Sequence, residues 1–88
     1  MNDLKASETE RKIAIVTGCT AGIGLELAQA FVAAGWDLYA VVRDAAKLDA
    51  SGLNTTRRSI CDLSTRAGVQ DALTGLDLAP YSRAVLIN

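Results

Sequence analysis

Apolar positions along the chain switch between two rhythms, short unbroken runs and a repeat every three or four residues, and the switches mark out the elements. Ile13-Ala14-Ile15-Val16 is a continuous β-rich run between the charged Arg11-Lys12 pair and a glycine turn, which predicts a strand buried on both faces. From Gly22 onward Ile23, Leu27, Phe31 and Ala34 recur at helical spacing, and Gly35 supplies a left-handed stop. An amphipathic helix is therefore predicted, with that stripe facing a sheet. Leu38-Tyr39-Ala40-Val41-Val42 predicts a second strand ending at Arg43, followed by a short helix over 44–50 with Asp44 as N-cap.

The second half repeats the alternation. Residues 55–61 are less apolar but β-branched at both ends, which suits a third strand near a sheet edge. Ser64 can cap a second full helix in which Val69, Ala72, Leu73 and Leu76 share a face and Gly75 lies near the end. After a loop containing Pro80, residues 83–87 begin a fourth apolar strand. Strands and helices alternating at these lengths require right-handed crossovers and a parallel, doubly wound sheet. The expected architecture is a partial, Rossmann-like α/β fold: four strands in the order 3-2-1-4, two full helices and a short one. Residues 1–11 lack periodicity and read as a flexible lead-in, leaving 12–88 as the folded part.

Composition narrows the classes. With 88 residues, half of them apolar, the chain is one small globular unit, burying about 60% of the surface its unfolded form exposes. Ten acidic against nine basic residues give no electrostatic footprint for nucleic acid, and no stretch approaches the ~20 apolar residues of a membrane span. A cytoplasmic location is the default expectation. Cys19 and Cys61 are far apart in sequence and no histidine accompanies them, so zinc and a disulfide scaffold are poor readings.

Candidate chemistry lies in the loop Thr17-Gly18-Cys19-Thr20-Ala21-Gly22-Ile23-Gly24, between the first strand and the first helix. Glycines there let the backbone turn and approach a pyrophosphate, and the free N–H groups and positive end of the following helix attract phosphate. A Walker loop needs a lysine after its last glycine, but Leu25 follows Gly24. The G-x-G-x-x-G spacing also fails, because Thr20 and Ile23 stand at its second and third glycine positions.

The spacing that fits is T-G-x-x-x-G-x-G, read here as Thr17, Gly18, Gly22 and Gly24, and by it the chain resembles the short-chain dehydrogenase/reductase family. The resemblance runs from Lys12 onward: Arg43 ends the second strand, Asp62-Leu63 follow the third, and Asn88 stands where the family's Asn-Asn-Ala-Gly would begin. The extended relatives need a glycine where this chain has Ala21, so that branch is disfavoured. The resemblance implies that Gly18, Thr20 and Ile23 line ribose and pyrophosphate within the loop shaped by Gly22 and Gly24. It also implies that Asp62 accepts a hydrogen bond from the adenine amino group, Leu63 packs on the ring, and Asn88 sits near the adenosine ribose.

A carboxylate at the end of the second strand would select NAD, whereas a guanidinium can hold the 2′-phosphate of NADP, so Arg43 favours NADP, with Asp44 as a competing ribose partner and NAD still possible. The family's catalysis uses a serine, a tyrosine and a lysine four residues after the tyrosine. Tyr81 is followed at that distance by Val85 and Tyr39 by Arg43, so no catalytic residue is assigned and the chain alone is expected to be inactive. The expected function is the NADP-binding front half of an oxidoreductase interconverting carbonyl and alcohol. The alternatives are a non-catalytic nucleotide-binding or self-assembling module, or an inert fragment. Besides the dinucleotide, the expected partner is a second copy or a completing segment, recruited by an exposed fourth strand.

Overall fold

The computed structural model describes residues 11–88. The elements run β1 (Lys12–Thr17), α1 (Gly22–Ala33), β2 (Asp37–Val42), α2 (Ala45–Ala50), β3 (Arg57–Ile60), α3 (Arg66–Thr74) and β4 (Arg83–Ile87). All four strands are parallel in the order β3-β2-β1-β4. Of the lead-in over 1–11, all but Arg11 lie outside the described residues, and Arg11 itself is held: its carbonyl accepts from the amide and hydroxyl of Ser82.

Alternation along β1 and β2 divides the core into two layers, because successive strand side chains point to opposite faces. Ala14, Val16, Leu38, Ala40 and Val42 face one way and are joined by Cys19, Ala28 and Leu48. Ile13, Ile15, Tyr39 and Val41 face the other way, with Ala72, Leu76 and Tyr81 packed against them. The first layer lies under α1 and α2. The second lies under α3.

The stripe expected on α1 is corrected by the structure. Ile23 is 75% exposed and Ala34 is exposed, whereas Ala28 is fully buried and Phe31 and Val32 pack on the core beside it. The start of the helix carries a glycine because it approaches the loop closely: a Cβ on Gly24 would collide with the carbonyl oxygen of Gly18. The stop at Gly35 is as expected. With φ +88°, its amide donates to Val32 O and that of Trp36 to Phe31 O, both at 3.0 Å, closing a Schellman motif. The Phe31 and Trp36 rings then meet edge-on at 4.9 Å, the apolar contact that accompanies such a cap.

Asp44 caps α2, its Oδ1 accepting from the amides of Ala46 (2.9 Å) and Lys47 (3.2 Å). The cap of α3 is Thr65 rather than the expected Ser64: Thr65 Oγ1 accepts from Gly68 N at 3.0 Å, while Ser64 turns back to Asp62. On α3, Ala72 is half-buried, but Val69 is 39% and Leu73 61% exposed; Leu76, expected on the same helical face, lies past the helix end at Thr74 and is half-buried there. With Ile15, Val41, Leu63 and Leu86 they border an apolar groove of about 290 Å³ that runs to the β4 edge. Leu86 itself is 67% exposed. No helix among the described residues is long and apolar enough to cross a membrane.

Candidate functional site

Parallel strands bring all their C-terminal ends to one rim of the sheet, and a cleft forms there where the connections turn in opposite directions. A cavity of about 470 Å³ opens at this rim. Its walls come from the end of β1 and the glycine loop (Thr17, Gly18, Thr20), the end of β2 and start of α2 (Val42, Arg43, Asp44, Lys47), and the turn after β3 (Cys61, Asp62, Leu63, Ser64).

The loop is shaped by its glycines. Gly18 and Gly22 have φ of 64° and 61°, a region costly for any residue with a Cβ. Gly24 is needed for a different reason, the close approach to Gly18. The N-terminus of α1 differs from those of α2 and α3 in one respect: Ala21 provides no side-chain cap, where Asp44 and Thr65 cap the others, so its leading amides face the loop without a side-chain acceptor. Cys19 lies past the strand end, inside the loop and fully buried, and burial pushes its thiol pKa up. Both cysteines are free thiols.

Across the cavity, Arg43 is 79% exposed at its side chain and its Nη2 lies 3.9 Å from Asp62 Oδ2. Adjacent parallel strands β2 and β3 make this meeting possible, since Val42 pairs with Ile60 and each chain then leaves the sheet at the same level. Asp62 is held from its other side: Oδ1 accepts from Ser64 N at 2.9 Å and Ser64 Oγ at 2.6 Å. These hydrogen bonds, the hydroxyl's foremost, keep its carboxyl below the usual carboxylate range, with Arg43 adding to the effect.

Of the residues singled out by sequence, Gly18, Thr20, Arg43, Asp62 and Leu63 border this one cavity. Gly22, Ile23 and Gly24 do not; the two glycines act on the loop's path and Ile23 projects outward. Asn88 borders the neighbouring apolar groove, and its Oδ1 accepts from Thr17 Oγ1 at 2.7 Å. Thr17 and Leu63 border both spaces, so the groove and the cavity adjoin. Sequence reasoning missed Lys47, a second cation on the cavity wall; its signal was its place in the first turn of the helix that Asp44 caps. It also gave Ser64 only a capping role.

Neither tyrosine hydroxyl is near this rim. Tyr39 OH donates to Ala72 O at 2.7 Å, and Tyr81 OH donates to Asp37 Oδ2 at 2.7 Å. Burial, and then the Asp37 carboxylate, raise the Tyr81 pKa, which is the wrong direction for an acid poised to ionise. No cluster of metal-ligating side chains occurs among the described residues.

The family model described as short chain dehydrogenase matches residues 12–78. A short-chain dehydrogenase/reductase from Vibrio parahaemolyticus superposes with a TM-score of 0.69 at 29% identity, covering 83% of this chain and 33% of that one. One from Burkholderia vietnamiensis superposes with a TM-score of 0.69 at 30% identity, covering 86% and 39% respectively. The chain therefore spans well under half the length of either. No curated protein matches it.

Proposed function

Because the chain belongs to the short-chain dehydrogenase family, we propose that residues 12–88 are the adenosine- and phosphate-holding part of an NADP(H) site in an oxidoreductase that interconverts a carbonyl and an alcohol. The observation that carries this reading is the glycine loop: two positive-φ glycines and an uncapped helix N-terminus opening on a cavity with Arg43 on its far wall. Gly18 and Thr20 would approach ribose and pyrophosphate, with Gly22, Ile23 and Gly24 fixing how α1 presents its amides. Asp62 and Leu63 would take the adenine. Asn88 would stand by the ribose, oriented by its bond to Thr17.

NADP is preferred to NAD on three grounds. Arg43 carries the cavity's exposed guanidinium, Lys47 adds a second cation, and Asp44, the carboxylate that could hold a ribose diol, has Oδ1 committed to capping α2. The nicotinamide, when bound, supplies or accepts the hydride. The described residues offer no acid or base for that step, so we assign catalysis to none of them.

A second reading, a module that assembles without chemistry, is favoured by the position of β4 at the sheet edge among the described residues and by the apolar groove beside it. In either reading we propose that β4 recruits a further strand, from a second copy or a completing segment. Melting of the chain with NADP(H) and with NAD(H) separates the readings. We expect stabilisation by NADP(H), and in Arg43→Ala at least a tenfold weaker response with the NAD(H) response unchanged, roughly the worth of one charge-assisted contact. A folded chain that responds to neither dinucleotide overturns the cofactor assignment.

A further inference from the structure

The turn after β3 is more constrained than a connecting loop requires. The carbonyl oxygen of Asp62 accepts from Thr65 N at 3.1 Å and Thr65 Oγ1 at 2.9 Å. Buried Gly68 lets α3 press against the same carbonyl, where a Cβ would collide with it. The Asp62 backbone is thus fixed. Its side chain has two further restraints, and both fall on one oxygen, since Ser64 donates to Oδ1 with its amide and its hydroxyl. Oδ2 is left turned toward Arg43, 3.9 Å away, and both residues lie on the cavity wall.

Resting on the nucleotide reading above, we propose that Ser64 is a positioning residue for base selection. By occupying Oδ1 it presents Oδ2 to the cavity as a lone acceptor, which favours a nucleobase with an exocyclic amino group over one with a carbonyl at that place. The same donors keep the carboxyl ionised below the ordinary carboxylate range, so the acceptor persists in mildly acidic solution. A carbonyl facing Oδ2 would set two acceptors against each other. The geometry therefore discriminates by rejection as well as by attraction.

The test uses the full chain and two probes, adenosine 5′-monophosphate and inosine 5′-monophosphate, which differ in carrying amino or carbonyl at the position in question. Wild type should prefer the adenosine nucleotide by roughly tenfold or more, the worth of a hydrogen bond to a charged group. Ser64→Ala should lose most of that preference, and Ser64→Thr, which retains both donors, should keep it. Asp62→Asn gives a sharper readout, and one that stays available if Ser64→Ala does not fold. Ser64 would hold the amide oxygen in the Oδ1 place and turn the NH2 group into the cavity, so the preference should invert toward inosine. Retained adenine preference in folded Ser64→Ala, or in Asp62→Asn, overturns the proposal while leaving nucleotide binding intact. A folded wild type that binds neither nucleotide removes the underlying reading and the proposal with it.

Discussion

Replacing Gly24 with alanine sets two effects of opposite sign against each other. Gly24 lies inside α1, where alanine in place of glycine ordinarily stabilises by about 0.5–1 kcal/mol. Its added methyl, however, would run into the carbonyl oxygen of Gly18, with the carbonyl carbon at 3.2 Å and Cys19 Cα at 3.4 Å. All three are backbone atoms of a loop whose path Gly18 fixes, so none can yield as a side chain tip could. Forcing a methyl group into such a contact costs about 1–3 kcal/mol. The difference spans about 0–2.5 kcal/mol and centres on a loss of about 1 kcal/mol, which for a domain of this size lowers the melting temperature by roughly 4–8 °C. Thermal unfolding followed by circular dichroism measures it. A raised melting temperature would refute the reasoning, because it would mean that α1 does not rest on the glycine loop.

Two further outcomes follow from packing. Tyr39→Phe removes the bond from the buried Tyr39 hydroxyl to Ala72 O, and leaves that carbonyl unpaired on a half-buried turn beside Gly75. About 1 kcal/mol should be lost in denaturant titration, without a change in cofactor response. The two thiols should separate under an aromatic disulfide reagent at neutral pH: half-buried Cys61 reacts with the native chain, whereas Cys19, fully buried and held protonated by burial, reacts only at the rate of unfolding.

Strands β1, β2 and β4 were legible because each holds a continuous apolar run, and runs of this kind in a parallel sheet need no partner pattern to be recognised; β3, Arg57-Arg58-Ser59-Ile60, has no such run and was placed from the β-branched residues around it. The α1 face was not legible. A search for large apolar residues selects Ile23 and Leu27, but the residue α1 buries fully is the small Ala28, with Phe31 and Val32 packed beside it, while Gly24 rests against the loop and Ile23 stays outside. Ser64 and Thr65 are equally good caps by chemistry, and the choice was made by Asp62, which draws Ser64 backward and leaves Thr65 the helix end. The site was half visible. The glycine loop was recognisable from its spacing and Thr20 was singled out only through the family resemblance, whereas the approach of Arg43 to Asp62 depends on the pairing of β2 with β3, which no local pattern contains.

At the end of the sheet away from the cavity, Arg11, Asp37 and Tyr81 form one joint: Asp37 Oδ2 accepts from Arg11 Nη2 at 2.9 Å and from Tyr81 OH, and the Arg11 guanidinium lies over the Tyr81 ring at 4.9 Å. Ser82 adds its amide bond to the Arg11 carbonyl. These contacts pin the starts of β1, β2 and β4 together, as a rivet holds the blades of a fan. The opposite rim, where the cavity opens, has ties of a different kind, Thr17 to Asn88 and Arg43 to Asp62, so the two ends of the sheet are held independently. A polypeptide trimmed past Arg11 would lose the rivet before it lost a single strand.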